Sequence, residues 1–336
     1  MISVKHLTKY YGEHLAVDDI SFDITEGHVY GFLGPNGAGK STTMNIITGC
    51  LSATDGTVLI DGHDIYEEPD AAKRLIGYLP EHPPLYMNES PLEYLKFVGE
   101  AKGLRGAELS AQVSEAMEKT GISNVKNRRI SALSKGYKQR VGIAQALLGN
   151  PKVIILDEPT VGLDPIQILE IRDLIMDLGK THTVIFSSHI LSEVQAICDQ
   201  ILMIARGKLV AFGKPEELQK QRLAPDEIIL TTDAADIEIK KLLEDIEHIT
   251  EINTESADSV YTVAHIKSDH GDIYNLSASV FRAFAASDKI IYEMSLKRGT
   301  LEDIFIELSE NADAESAKPE ESQTENASAE GEVSKE

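Results

Sequence analysis

From the N-terminus to about residue 220, short β-branched apolar runs alternate with longer stretches of helical period. This is the pattern of a mainly parallel sheet flanked by helices. Strands are predicted at His28 to Leu33, Val153 to Leu156 and Thr183 to Ser187. Each ends where a small, polar or charged cluster begins, the edge at which open α/β sheets place their ligands. Charge and two prolines between Lys214 and Pro225 interrupt the pattern, and a second series follows. It reads as strand (Glu227 to Thr232), helix (Ala235 to Ile246), two strands (near His248 to Asn253 and Val260 to Ile266), helix (Asp272 to Ala286) and strand (Lys289 to Leu296). That β-α-β-β-α-β order suggests a ferredoxin-like unit, with an irregular α+β appendage as the alternative. A closing helix is predicted over Thr300 to Glu310, with a capping-box-like start at Thr300 and Asp303 and an apolar stripe of Leu301, Ile304, Phe305 and Leu308.

Composition changes this picture at the ends. Residues 311 to 336 hold a single Val and no aromatic, too little apolar area to offset the entropy of ordering, so an acidic, disordered tail is expected. The remainder carries enough apolar residues for one large domain and one small one. A formal net charge of -23 argues against a general nucleic-acid binder, which needs a basic face. No run approaches the roughly 20 apolar residues that span a bilayer, and the first residues do not form a secretory signal. Cys50 and Cys198 follow no metal-type spacing and read as buried thiols in a reducing compartment.

The candidate chemistry sits at the predicted strand ends. Gly34-Pro35-Asn36-Gly37-Ala38-Gly39-Lys40-Ser41-Thr42 fits G-x-x-x-x-G-K-[ST] between a strand and a helix. The glycines let the backbone aim successive N-H groups inward as an anion nest at a helix start. Lys40 would reach the β- and γ-phosphates, Ser41 would offer a hydroxyl to Mg²⁺, and Thr42 would face the α-phosphate end. The strand Val153 to Leu156 runs into Asp157 and Glu158. Carboxylates at a buried strand edge are costly unless they have a task, and here Asp157 is assigned to Mg²⁺ through its water shell and Glu158 to the attacking water as general base. Ser134 in N-cap position and Gly136 open another helix, a second phosphate-directed element about a hundred residues from the first. His189, after the strand Thr183 to Ser187, is suited to a γ-phosphate and the water beside it.

Taken in order, these segments resemble the ATP-binding subunits of ABC transporters over residues 1 to about 220. The resemblance implies a P-loop NTPase cassette with a helical subdomain (1-220), to which the residue pattern adds a small accessory α+β domain, ferredoxin-like in one of its two readings (221-310), and composition adds the disordered acidic tail (311-336). It implies ATP and Mg²⁺ as cofactors, adenine stacking on Tyr11, and a signature loop at Leu133-Ser-Lys-Gly-Tyr137. It further implies a dimer-contacting loop at Gly162-Leu-Asp164 and a switch histidine at His189. In that family two copies form a head-to-tail dimer with ATP between the phosphate loop of one and the Ser134 region of the other, driving a separate membrane permease. The expected setting is cytoplasmic, on the inner face of the membrane.

Two motifs depart from the family pattern. Lys135 and Tyr137 replace a glycine and a glutamine, and Glu81 stands where a glutamine is usual and would reach Mg²⁺ through water. With residues 79-86 and 133-140, these departures look like the ABC-2-type exporter branch, in particular its gliding-motility-associated ATPase. Leu85, Tyr86, Met87, Tyr94 and Phe97 suit either a permease-docking groove or a small internal core. A soluble ABC ATPase acting on ribosomes or nucleic acid is the alternative function. The single phosphate loop and acidic charge weigh against it.

Overall fold

The structure, a computed structural model, describes residues 1-220, 226-257, 261-268, 272-297 and Asp303. The predicted closing helix, Asp303 apart, and the tail over 311-336 lie outside the described residues.

The chain opens with β1 (Ile2–Tyr11), β2 (His14–Ile24), β3 (Val29–Leu33), α1 (Lys40–Ile47), β4 (Asp55–Ile60), β5 (His63–Asp64), α2 (Pro69–Arg74) and β6 (Ile76–Leu79). Three longer helices follow, α3 (Pro91–Ala101), α4 (Gly106–Lys119) and α5 (Lys135–Leu147). Then come β7 (Val153–Leu156), α6 (Pro165–Gly179), β8 (Thr183–Ser188), α7 (Leu191–Ile197), β9 (Gln200–Ala205), β10 (Lys208–Gly213) and α8 (Pro215–Lys220). The central sheet has the order β10-β9-β3-β8-β7-β6, parallel except for β10 at its edge.

Every residue of β3, β7 and β8 is buried, which explains why these strands read as continuous apolar runs rather than as alternating ones. Their side chains still alternate between two cores. Leu33, Ile154, Leu156, Val184 and Phe186 pack with α3 to α6, whereas Tyr30, Phe32, Val153, Ile155 and Ile185 pack with α1 and the antiparallel sheet β2-β1-β4-β5. That second sheet was not among the predicted elements. Its strands mix buried and exposed positions irregularly, and register shifts in β1 blur the period of two.

Between β6 and β7 the chain makes a helical subdomain. Ser90 caps α3 in a capping box: its Oγ accepts from the Glu93 amide while the Glu93 carboxylate accepts from the Ser90 amide at 2.9 Å. Residues 130 and 131 donate back to the carbonyls of Glu89 and Met87, which anchors the approach to α5.

The predicted break at 214-225 contains α8, whose Leu218 is buried in the same core as α3 to α6. Beyond it lie β11 (Asp226–Thr232), α9 (Asp236–Leu243), β12 (Ile249–Ala257), β13 (Tyr261–Ser268), α10 (Ile273–Ala286) and β14 (Ile291–Lys297). Their sheet order, β12-β13-β11-β14, is antiparallel throughout, as the ferredoxin-like reading requires. Its core joins Ile228, Leu230 and Ile266 to Ile239, Val280 and Phe284.

One expectation fails in part. Cys198 is buried and burial pushes its thiol well above the usual range, but Cys50 is exposed, because it follows the end of α1 rather than facing the sheet.

Candidate active site

The loop from 34 to 39 is shaped by close backbone approaches. A Cβ at Gly34 would lie 2.3 Å from the Ile204 carbonyl oxygen of β9, and one at Gly39 would lie 2.6 Å from that of Ala16. Gly39 also has φ 103°, which disfavours any side chain. As the N-cap of α1 it offers no capping side chain, so the first amides of that helix are left for an anion. Lys40 is buried, with its ammonium donating to the carbonyls of Gly34 (2.7 Å) and Pro35 (3.1 Å) and lying 3.4 Å from Glu158 Oε1. Burial holds the Lys40 ammonium below the usual lysine range, and Glu158 opposes that shift.

Asp157 and Glu158 follow β7 and are both buried. Asp157 Oδ1 accepts from Ser187 Oγ at 2.6 Å and from Ser41 Oγ at 3.2 Å, while Ser187 Oγ accepts from the Glu158 amide at 2.7 Å. Burial pushes the Asp157 carboxyl above the ordinary range, and the two serines work against it. Glu158 has φ 47°, a left-handed conformation costing about 1–3 kcal/mol in a side-chain-bearing residue. The turn aims its carboxylate between two partners, since Oε2 meets His189 Nδ1 at 2.9 Å while Oε1 faces Lys40. Ser187 was absent from the predicted site. The Ser-Ser pair ending an otherwise apolar buried strand is the signal that could have found it.

A cleft of about 500 Å³ is lined by Tyr11, residues 36-42, Glu81, Glu158 and His189. Gly34 and Pro35 serve it indirectly, through the carbonyls that hold Lys40. Tyr11 is 48% exposed, with the Lys9 ammonium 5.3 Å from its ring centroid. The Glu81 side chain is 43% exposed and its charge acts on both Asp157 and Lys40.

Ser134, Gly136 and Asp164 are elsewhere. They line a second cleft of about 460 Å³ with Tyr137, Arg140 and Gln167. Ser134 caps α5, accepting from the Tyr137 amide at 3.4 Å, and Asp164 caps α6, accepting from the Gln167 amide at 2.9 Å. Of the two replacement residues, Tyr137 accepts a hydrogen bond from Asn124 at 3.1 Å, and the Lys135 ammonium lies against Gly162.

The candidate docking residues divide between the two readings offered for them. Leu85 and Tyr94 are buried in the helical core, whereas Tyr86, Met87 and Phe97 are exposed, with the Tyr86 ring 5.6 Å from Tyr94 and 5.2 Å from Phe97.

Comparison with known proteins places these features in context. The family model described as "ABC transporter" matches residues 17–161. An uncharacterized ABC transporter ATP-binding protein of Bacillus subtilis, YxlF, is 39% identical over 222 residues, 66% of this chain and 74% of that protein. The lantibiotic transport ATP-binding protein SrtF of Streptococcus pyogenes is 40% identical, covering 62% of this chain and 89% of its own. Among solved structures, the dimeric post-hydrolysis state of the ATP-binding cassette MJ0796, bound to ADP and Pi, superposes with a TM-score of 0.58 at 28% identity over 64% of this chain and 98% of that one.

Proposed function

Because this chain belongs to the ATP-binding, ATP-hydrolysing subunits of ABC transporters, we propose that it powers an exporter of the ABC-2 type through a separate membrane permease. Two copies close on ATP and reopen after hydrolysis. The observation that carries the catalytic reading is the placement of one strained glutamate, Glu158, between Lys40 and His189 at the mouth of the phosphate loop. In this reading the amides opening α1 and the Lys40 ammonium receive the β- and γ-phosphates. Glu158 takes the proton of the attacking water, and His189, held by Glu158, steadies that water and the γ-phosphate. Tyr11 at the cleft mouth stacks on adenine.

The donor set at the β7 end suits Mg²⁺. Ser41 and Asp157 already lie within hydrogen-bond distance of each other, Glu81 acts electrostatically on Asp157, and all three offer hard oxygen ligands. Ser41 would offer its hydroxyl to the ion, Asp157 would hold it through its water shell and Glu81 would also reach it through water, and the ion would neutralise charge on the phosphates.

Ser134, Gly136 and Asp164 serve the nucleotide of the other copy, since their cleft is separate from the phosphate loop of their own chain. The exposed Tyr86, Met87 and Phe97 receive the permease. Among the described residues no helix is long and apolar enough to cross a membrane, and attachment to the cytoplasmic face through that permease belongs to the same proposal. Relatives that are themselves transport subunits favour this reading over action on ribosomes or nucleic acid. The branch assignment, including the likeness to the gliding-motility-associated ATPase, rests on residues 79-86 and 133-140.

Glu158→Gln should bind ATP normally, lose about 10²- to 10⁴-fold in multiple turnover, and accumulate as a dimer on size-exclusion chromatography with Mg-ATP. Undiminished steady-state hydrolysis would remove Glu158 from its assigned role.

A further inference from the structure

Glu193 lies in the first turn of α7 and is 2% exposed. A carboxylate so placed is costly unless its oxygens are occupied. Its Oε2 accepts from Thr160 Oγ1 at 2.8 Å and from Ser188 Oγ at 3.0 Å, while Oε1 lies 3.7 Å from the guanidinium of Arg172 on α6. Stability alone is a poor account of this group. Arg172 Nε is buried without a hydrogen-bond partner, so the charge pair is not fully satisfied.

The position of the two hydroxyls suggests a different purpose. Thr160 begins two residues past Glu158 the loop that ends at Asp164 in the second cleft. Ser188 immediately precedes His189, and its Oγ also accepts from the Ile190 amide at 3.0 Å, closing the turn on which the histidine stands. One buried carboxylate therefore grips both the turn that carries His189 into the first cleft and the loop that runs from Thr160, past Val161 in the first cleft, to Asp164 in the second. It does so from a helix that contributes no side chain to either cleft.

We propose that Glu193 is a positioning residue that holds His189 against Glu158 in one cleft and sets the start of the Asp164 loop in the other. Displacement of the γ-phosphate side would then be felt at the face presented to the second copy, through Ser188, Glu193 and Thr160. This role rests on the catalytic reading of Glu158 and His189 given above.

The test uses the full chain with Mg-ATP and begins with variants that leave Glu193 itself in place. Thr160→Val and Ser188→Ala each remove one hydroxyl with little change of volume. Each should lower kcat roughly 5- to 20-fold with KM for ATP within about twofold, since misplacing a catalytic group by about 1 Å costs up to about 10²-fold. Glu193→Gln combined with Thr160→Val should be about as slow as the slower single variant, because both act through one contact. Titration with a fluorescent ATP analogue counts the nucleotide-competent sites. Unchanged kcat in both hydroxyl variants, or losses that match the fall in competent sites, would overturn the proposal. Glu158→Gln is measured alongside: if it turns over normally the catalytic reading fails, and if it is inactive while the hydroxyl variants are normal, only the role of Glu193 falls.

Discussion

The two clefts of the cassette are built from opposite materials. Around the phosphate loop the functional groups are buried, charged and interlocked: Lys40, Asp157 and Glu158 are nearly inaccessible, and each is held by at least one of the others or by Ser41 and Ser187. In the second cleft Ser134 and Asp164 are exposed helix caps, each already satisfied by the amide three residues on. Burial makes the first cleft suited to chemistry, because charges withdrawn from water interact strongly, and it holds Lys40 below and Asp157 above their ordinary ranges. Helix starts make the second one receptive, because what they offer an anion is fixed backbone polarity. The first therefore reads as the chemical half of a site and the second as the half that completes a neighbour's.

The largest effect should come from placing a negative charge at the receptive half. Ser134→Glu is expected to bind ATP with unchanged affinity and to lose about 100-fold or more in hydrolysis, by analogy with removal of a preorganised donor. Lys40→Ala should fail at binding instead. Mixing the two variants should restore activity, because a mixed dimer holds one site with an intact loop and an intact Ser134. A mixture as inactive as its components breaks the assignment of the clefts to different copies.

A smaller effect tests the mouth of the first cleft. Tyr11→Ala should raise KM for ATP about 5- to 10-fold with kcat little changed, as expected for loss of about 1 kcal/mol of stacking made equally in ground and transition states. A fall in kcat at constant KM would place Tyr11 in the chemistry instead.

The smallest effect contrasts the two carboxylates in stability. Asp157 is held above its ordinary range by burial, so the folded chain binds its proton more tightly than the unfolded chain does. The resulting stability is present at low pH and lost as pH rises through the raised value. Asp157→Asn should therefore melt above the parent at pH 7, in chelator, with the gap closing as pH falls toward the ordinary carboxylate range. Asp164→Ala should lower stability by about 1 kcal/mol through loss of the α6 cap. A fall in melting temperature for Asp157→Asn at pH 7, or no fall for Asp164→Ala, would contradict the division between buried function and exposed capping.

Much of this was legible in the sequence, and the exceptions have a common cause. The strands β3, β7 and β8 announced themselves as short apolar runs ending in polar clusters, and the loop at 34-42 as a motif between strand and helix. The C-terminal β-α-β-β-α-β series was visible for the same reason, although its strands run one to four residues further than expected in places. The antiparallel sheet β2-β1-β4-β5 was not, because its mixed burial destroys the alternation that marks a strand. Helix α8 hid inside a proline-bounded break, and only the burial of Leu218 shows that it returns to the core.

Local order along the chain was enough to nominate side chains for phosphate, cation and water, since those nominations rest on residue types at the ends of strands and the starts of helices. Tertiary structure decided which of them meet. It brought Ser41, Asp157 and Ser187 together from three segments, set Glu158 between Lys40 and His189, and kept Ser134 and Asp164 apart from all of them. It alone exposed the buried Glu193 beneath both clefts. Apart from Ser188 to Glu193, such hydrogen bonds span 29 to 116 residues of chain, and no local periodicity encodes a separation that only the closing of the parallel sheet removes.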